Sequence, residues 1–91
     1  DMRGHGQSSL ATDGDYAISR MAADVAVVLD AFGIGRAHFL GLSLGGCVAM
    51  QFAADYPGRV QRLVLVNTFA RLRGAGVGSL RRRLTRISAA L

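Results

Sequence analysis

Lysine and glutamate are both missing from this 91-residue sequence: all eleven basic residues are arginine and all six acidic residues are aspartate. Without lysine a Walker A phosphate loop is excluded. The dinucleotide fingerprint is excluded as well. Gly33-Ile34-Gly35 is followed by His38 where a third glycine is needed, and it precedes a strand pattern instead of following one. A single cysteine, Cys47, rules out an internal disulfide and fits a reducing compartment, hence a cytoplasmic expectation. No apolar run approaches the roughly 18 residues of a membrane span, so neither a transmembrane nor a secretory segment is expected. The bias toward Arg and Asp is of the kind a GC-rich genome produces.

The net charge of +5 is unevenly placed. Residues 71–91 hold six arginines and no acid, whereas residues 1–70 hold five arginines and six aspartates. The run Arg81-Arg82-Arg83 raises the question of nucleic acid or a membrane surface. It lacks interleaved aromatics, and so lacks the stacking platform of single-strand binders. With Leu80, Leu84, Ile87 and Leu91 at helical spacing, the tail reads instead as a basic helix with a solvated face. No nucleic-acid or membrane partner is expected.

The most informative stretch is Gly41-Leu42-Ser43-Leu44-Gly45-Gly46. Before it, Ala37-His38-Phe39-Leu40 reads as a buried strand, with the strand spanning about 36–42. After it, Val48, Ala49, Phe52, Ala53 and Tyr56 recur at helical spacing, over 44–56. A serine at a sharp strand-to-helix turn, flanked by glycines two before and two after, is the G-x-S-x-G nucleophile-elbow pattern. The pattern predicts a strained Ser43 backbone that lifts Oγ above the strand ends. It also predicts no room for side chains at 41 and 45. The helix that follows points free N–H groups at the reacting centre, so the Leu44 amide is the natural first oxyanion donor.

Around this centre the chain reads in order. Residues 1–15 form a turn-rich opening, with Asp13-Gly14-Asp15 a loop signal. Ile18, Met21, Ala22, Val25, Val28, Leu29 and Phe32 mark one helix face, with Ser19 as an N-cap or a start two residues earlier, and Gly33 and Gly35 as the stop. Pro57-Gly58 ends the second helix. Arg62-Leu63-Val64-Leu65-Val66-Asn67 suits a strand buried on both faces. The nineteen residues between Leu42 and Arg62 contain a helix, a length that fits a parallel βαβ crossover. The fold class is therefore α/β with a parallel sheet.

Together these motifs resemble the α/β-hydrolase superfamily over nearly all of residues 1–70. Asp1-Met2-Arg3-Gly4-His5-Gly6-Gln7-Ser8 is similar to that family's D-x-R-G-x-G-x-S loop after the fourth strand. The elements that follow match helix B, strand 5, helix C and strand 6, and residues 71–91 match the start of an inserted cap. Gly41–Gly46 together with Leu65-Val66-Asn67-Thr68 is similar to 3-oxoadipate enol-lactonases and their esterase relatives. The resemblance implies a serine hydrolase of a small carboxylic ester or lactone that works through an acyl-enzyme, with Ser43 as nucleophile and the Leu44 N–H in the oxyanion hole. The serine argues against the branches that use an aspartate nucleophile. No metal or organic cofactor is implied. Two other readings share the pattern: a non-catalytic ligand-binding member of the fold, and a cofactor-free perhydrolase or carbon–carbon hydrolase.

The family's triad runs Ser, then Asp or Glu, then His. Asn67 occupies one position where members place the acid, and it carries no charge. The resemblance therefore puts acid and His beyond residue 91 and the second oxyanion donor before residue 1. The sequence reads as an internal fragment, inactive alone. His5 and His38 are expected to be structural, because a base must come within about 3 Å of the serine Oγ. Asp1 and Arg3 are expected to brace the opening loop as a pair. Asp24, Asp30 and Asp55 are expected to be solvated or helix-dipole positions, and Cys47 a small packed residue.

Overall fold

The computed structural model describes residues 1–69 and 88–90. Helix α1 spans Ile18–Ala31 and strand β1 Ala37–Leu42. Helix α2 spans Leu44–Asp55, a 3₁₀ turn Pro57–Arg59, strand β2 Val60–Val66 and strand β3 Ser88–Ala90. The strands form one parallel sheet in the order β1-β2-β3. The βα-β arrangement expected from the spacing is thus present, and β2 begins two residues earlier than its apolar run suggests.

One face of the sheet is covered. Phe39 points to it, its ring centroid 4.9 Å from that of Phe52. Phe52 in turn lies 4.9 Å from Tyr56. Phe52, Leu63, Val60 and Ala53 are buried there with Met21, Ala22, Ala26 and Leu29 of α1. Alternation along β1 sends His38, Leu40 and Leu42 to the other face, where all three are exposed.

The α1 face differs in detail from the expected stripe. Val28 and Phe32 are exposed and Ala26 is buried in their place. The buried row Ala22, Ala26, Leu29 follows the i, i+4, i+7 ridge, and small residues on that ridge let another helix approach closely. Of the two starts read from the sequence the earlier one holds: Ala17, two residues before Ser19, is the cap and makes no side-chain bond. At the other end the stop is as expected. Gly33, at φ 66°, donates to the Asp30 carbonyl, and Ile34 donates to Leu29. This is a Schellman ending.

The opening loop is braced differently from the expectation. Asp1 and Arg3 do not pair. Arg3 grips Asp24 of α1 with two bonds, Nε to Oδ2 at 2.6 Å and Nη2 to Oδ1 at 2.7 Å. It also donates to the Asp15 carbonyl at 2.9 Å. The Asp1 carboxylate instead accepts the Gln7 N–H at 2.9 Å. Asp30 likewise pairs with Arg59, at 2.7 Å, and Asp55 accepts from Gln51. None of the three helix aspartates is merely solvated, because each has a long donor within reach.

Ser88–Ala90 is a strand against β2, paired from Arg62↔Ser88 to Val64↔Ala90. A helix running through Leu91 is therefore corrected at these residues: β2 offers an open edge, and ladder bonds satisfy a backbone that a helix would satisfy internally. Leu80, Leu84, Ile87, Leu91 and the Arg81–Arg83 run lie outside the described residues. No helix among the described residues is long and apolar enough to cross a membrane.

Candidate functional site

Ser43 is the single residue between β1 and α2. The chain turns across it at φ 53° and ψ −119°. Such a conformation costs a non-glycine residue roughly 1–3 kcal/mol, and it persists only where its surroundings over-determine it. The surroundings here are the end of β2 and the first turn of α2. The Ser43 N–H donates to the Val66 carbonyl at 3.0 Å. The Ser43 carbonyl accepts from Gly46 N at 2.9 Å and Cys47 N at 3.3 Å. It also accepts from the Thr68 hydroxyl at 2.8 Å.

These bonds do not involve the Ser43 hydroxyl or the Leu44 N–H. Ser43 is exposed, and its hydroxyl makes no capping bond to α2. It stands at the carboxyl end of the parallel strands, where open α/β sheets bind their ligands. The Leu44 amide is the first of the helix and has no backbone acceptor among the described residues. A donor and a hydroxyl side by side at a helix N-terminus can address one carbonyl group.

The glycines divide the steric work unevenly. A Cβ on Gly41 would stand 2.6 Å from the Gly46 Cα and 2.7 Å from the Gly45 carbonyl oxygen. Both are backbone atoms that cannot swing aside. A Cβ on Gly46 would strike the Thr68 side chain, its own Cβ included, at 2.5 Å. The expectation that Gly45 has no room is corrected: among the described residues nothing lies within 4 Å of a Cβ there. It is the Gly45 carbonyl oxygen that faces Gly41, so the close approach needs glycine at 41 and not at 45.

Neither histidine is brought to Ser43. The His5 Nδ1 lies 2.9 Å from the Arg3 carbonyl and belongs to the opening loop. His38 sits five residues before Ser43 on β1. At about 3.3 Å per residue that is roughly 16 Å away. Cys47 is buried, its sulfur 3.3 Å from the Phe69 carbonyl oxygen and 3.6 Å from the Thr68 hydroxyl. That packing matches the expectation for it. Asn67 follows β2 at φ 47° and turns the chain so that Thr68 reaches the Ser43 turn.

Sequence reading missed Thr68. The available signal was the additional Gly46, which the serine turn itself does not require and which Thr68 explains. Away from the turn, a groove of about 590 Å³ opens between the opening loop and α1, lined by Met2, Arg3, Met21, Asp24 and Val28 among others. Ser43 takes no part in it. No cluster of potential metal ligands occurs among the described residues.

A parallel strand–serine–helix unit with a second strand closing over the turn is the central element of one large class of α/β proteins. The family model for the alpha/beta hydrolase fold matches residues 1–89, and the chain belongs to that family. It is 49% identical over 71 residues to a protein of Variovorax paradoxus named as the carbamate hydrolase RutD, covering 78% of this chain and 27% of that one. It is 36% identical over 86 residues to 3-oxoadipate enol-lactonase 2 of Acinetobacter baylyi, covering 94% and 32%. Among solved structures, a hydrolase from Pseudomonas aeruginosa PA01 superimposes with a TM-score of 0.73 at 45% identity, over 94% of this chain and 31% of that one. The chain thus spans about a quarter to a third of the length of these relatives.

Proposed function

We propose that the protein is a serine-dependent hydrolase of a small carboxylic ester or lactone. In this reading the Ser43 turn is a nucleophile elbow. The observation that carries it is the strained, exposed Ser43 beside an unengaged helix N-terminal amide. A serine held at φ 53° without a capping role stores strain that packing alone does not need, and such strain concentrates at reacting groups. The names of the relatives support the same chemistry, since carbamates and lactones both present a carbonyl to a nucleophile.

Ser43 Oγ attacks the substrate carbonyl carbon as a histidine base takes its proton. The carbonyl oxygen becomes an oxyanion that accepts the Leu44 N–H. Collapse expels the leaving oxygen, which takes the proton from the histidine, and leaves Ser43 acylated. Water then repeats the sequence and releases the acid. Neither described histidine reaches Ser43, so this reading assigns base and acid to residues outside 1–91. The start of a cap over the acyl pocket is assigned to residues 71–87, ahead of β3.

The test is made on the full-length protein carrying this sequence. A fluorophosphonate probe should label Ser43, and Ser43→Ala should abolish both labelling and turnover of short esters or lactones. The loss expected in kcat is about 10⁴-fold or more. Undiminished turnover in Ser43→Ala would remove the proposal. Residues 1–91 alone should give no turnover.

A further inference from the structure

The peptide that carries the proposed oxyanion donor is held from one side by a residue outside the serine motif. We propose that Thr68 is a positioning residue: its hydroxyl fixes the Ser43–Leu44 peptide plane, and so aims the Leu44 N–H. The inference rests on the reading of Ser43 as nucleophile and of the Leu44 amide as donor.

Two peptide planes meet at Ser43, and each is tied separately to the end of β2. The Leu42–Ser43 plane is fixed through its N–H, which donates to the Val66 carbonyl at 3.0 Å. The Ser43–Leu44 plane is fixed through its carbonyl, which accepts the Thr68 hydroxyl at 2.8 Å. In a trans peptide the C=O and the N–H point to opposite edges of one rigid plane. Holding the Ser43 oxygen toward Thr68 therefore directs the Leu44 N–H the other way, out of the turn. The bonds from Gly46 and Cys47 reach the same oxygen from α2 itself, at 2.9 and 3.3 Å. They move with the helix and cannot register it against the sheet. Among the described residues, Thr68 supplies that registration.

Thr68 is itself immobilised. Its side chain fills the space in front of Gly46, where a Cβ would collide with it. The Cys47 sulfur lies 3.6 Å from its hydroxyl. A peptide plane held this way is pre-organised, so the Leu44 N–H needs little ordering when the oxyanion forms.

The experiment compares Thr68→Val, which keeps the shape and removes the hydroxyl, with Thr68→Ser, which keeps the hydroxyl. Both are made in the full-length protein, and rates are expressed per site titrated with fluorophosphonate, so that unfolded molecules do not count. In Thr68→Val, kcat should fall about tenfold while KM stays within about twofold, the pattern of an interaction made in the transition state. An oxyanion-mimicking boronic acid should bind about tenfold more weakly to the same variant. Thr68→Ser should restore both. Wild-type kcat in Thr68→Val, a change confined to KM, or a Thr68→Ser variant no better than Thr68→Val would each overturn the assignment. Labelled Ser43 with a silent Thr68→Val removes the role of Thr68 alone. Full turnover in Ser43→Ala removes that role together with the nucleophile reading.

Discussion

The opening loop and the Ser43 turn both use left-handed backbone, and they are held by different forces. In the loop the positive φ values fall on Gly4, Gly6 and Gly14, at 74°, 51° and 69°, where glycine carries no penalty. A Cβ on Gly6 would meet the Asp1 carboxylate, so the loop is folded tightly around its charges. Met2 packs against the core, and the loop's charged tie to α1 is the two-bond pair of Arg3 with Asp24. In the turn the positive φ falls on a serine, and no ionised group touches it. Backbone amides, one carbonyl and one neutral hydroxyl hold it. On the proposed reading Ser43 must stay in one place through proton transfers, and groups that do not titrate fix it better. A loop that only has to close can use charges.

The largest effect that distinguishes the two regions is expected at Gly41. Gly41→Ala forces a Cβ into backbone of α2, so β1 and α2 must separate. A loss of about 3 kcal/mol or more in unfolding free energy is expected, along with the loss of activity. A variant that melts like wild type would mean that the turn is not packed as described. Gly46→Ala comes next, because Thr68 can give way only by abandoning Ser43. Gly45→Ala should lie within about 0.5 kcal/mol of wild type where only the described residues surround it. Thermal melts of the three variants side by side test this order, and equal penalties at 45 and 46 would contradict it.

A smaller effect of opposite sign is expected at Ser43 itself. Ser43→Gly removes the penalty of a side chain at φ 53°, so stability should hold or rise by about 1 kcal/mol while turnover disappears. If Ser43→Gly were markedly destabilised, the turn would not be strained.

These effects trace what was legible in the sequence. The Ser43 turn, the ends of both helices and the parallel pairing follow from local rules: glycine spacing, Pro57 after the helix, Gly33 at a left-handed cap. What was not legible lies between residues far apart in the chain. Arg3 meets Asp24 twenty-one positions away, and Thr68 meets Ser43 twenty-five away. Composition offers six aspartates to Arg3 and does not choose among them. The motif marked Gly41 and Gly45 alike and left Gly46 as an extra glycine, because a string of letters carries no direction. Only the path of the chain after β2 shows that 46 faces Thr68 and 45 faces nothing described. The helical spacing of the tail misled at 88–90 for a related reason, since an open strand edge is a tertiary fact.

The smallest expected effect belongs to the charged loop, and it depends on pH. The Asp24 carboxyl is held below its ordinary range, first by its hydrogen bonds from Arg3 and then by that residue's charge. A depressed carboxylate contributes stability that is fully present above its unfolded value, near 3.9. That contribution is lost as pH falls through the lower folded value. Asp24→Asn should therefore be less stable than wild type at neutral pH, and the gap should close as pH drops below about 4. The gap should be modest, because the pair is partly exposed, and about 1 M salt should narrow it. Asp13, lowered chiefly by the Asp15 N–H, leaves some acid slope in the variant. Gly46→Ala supplies the contrast, since no titrating group touches the turn and its deficit should stay flat over the same range. Denaturant midpoints of wild type and both variants, taken from about pH 7 to about pH 3, make the comparison. An Asp24→Asn gap that persists unchanged into acid would mean that the stability lost is not that of the ionised pair, and no gap at neutral pH would mean that Arg3 closes the loop through Asp15 and Asp13 instead.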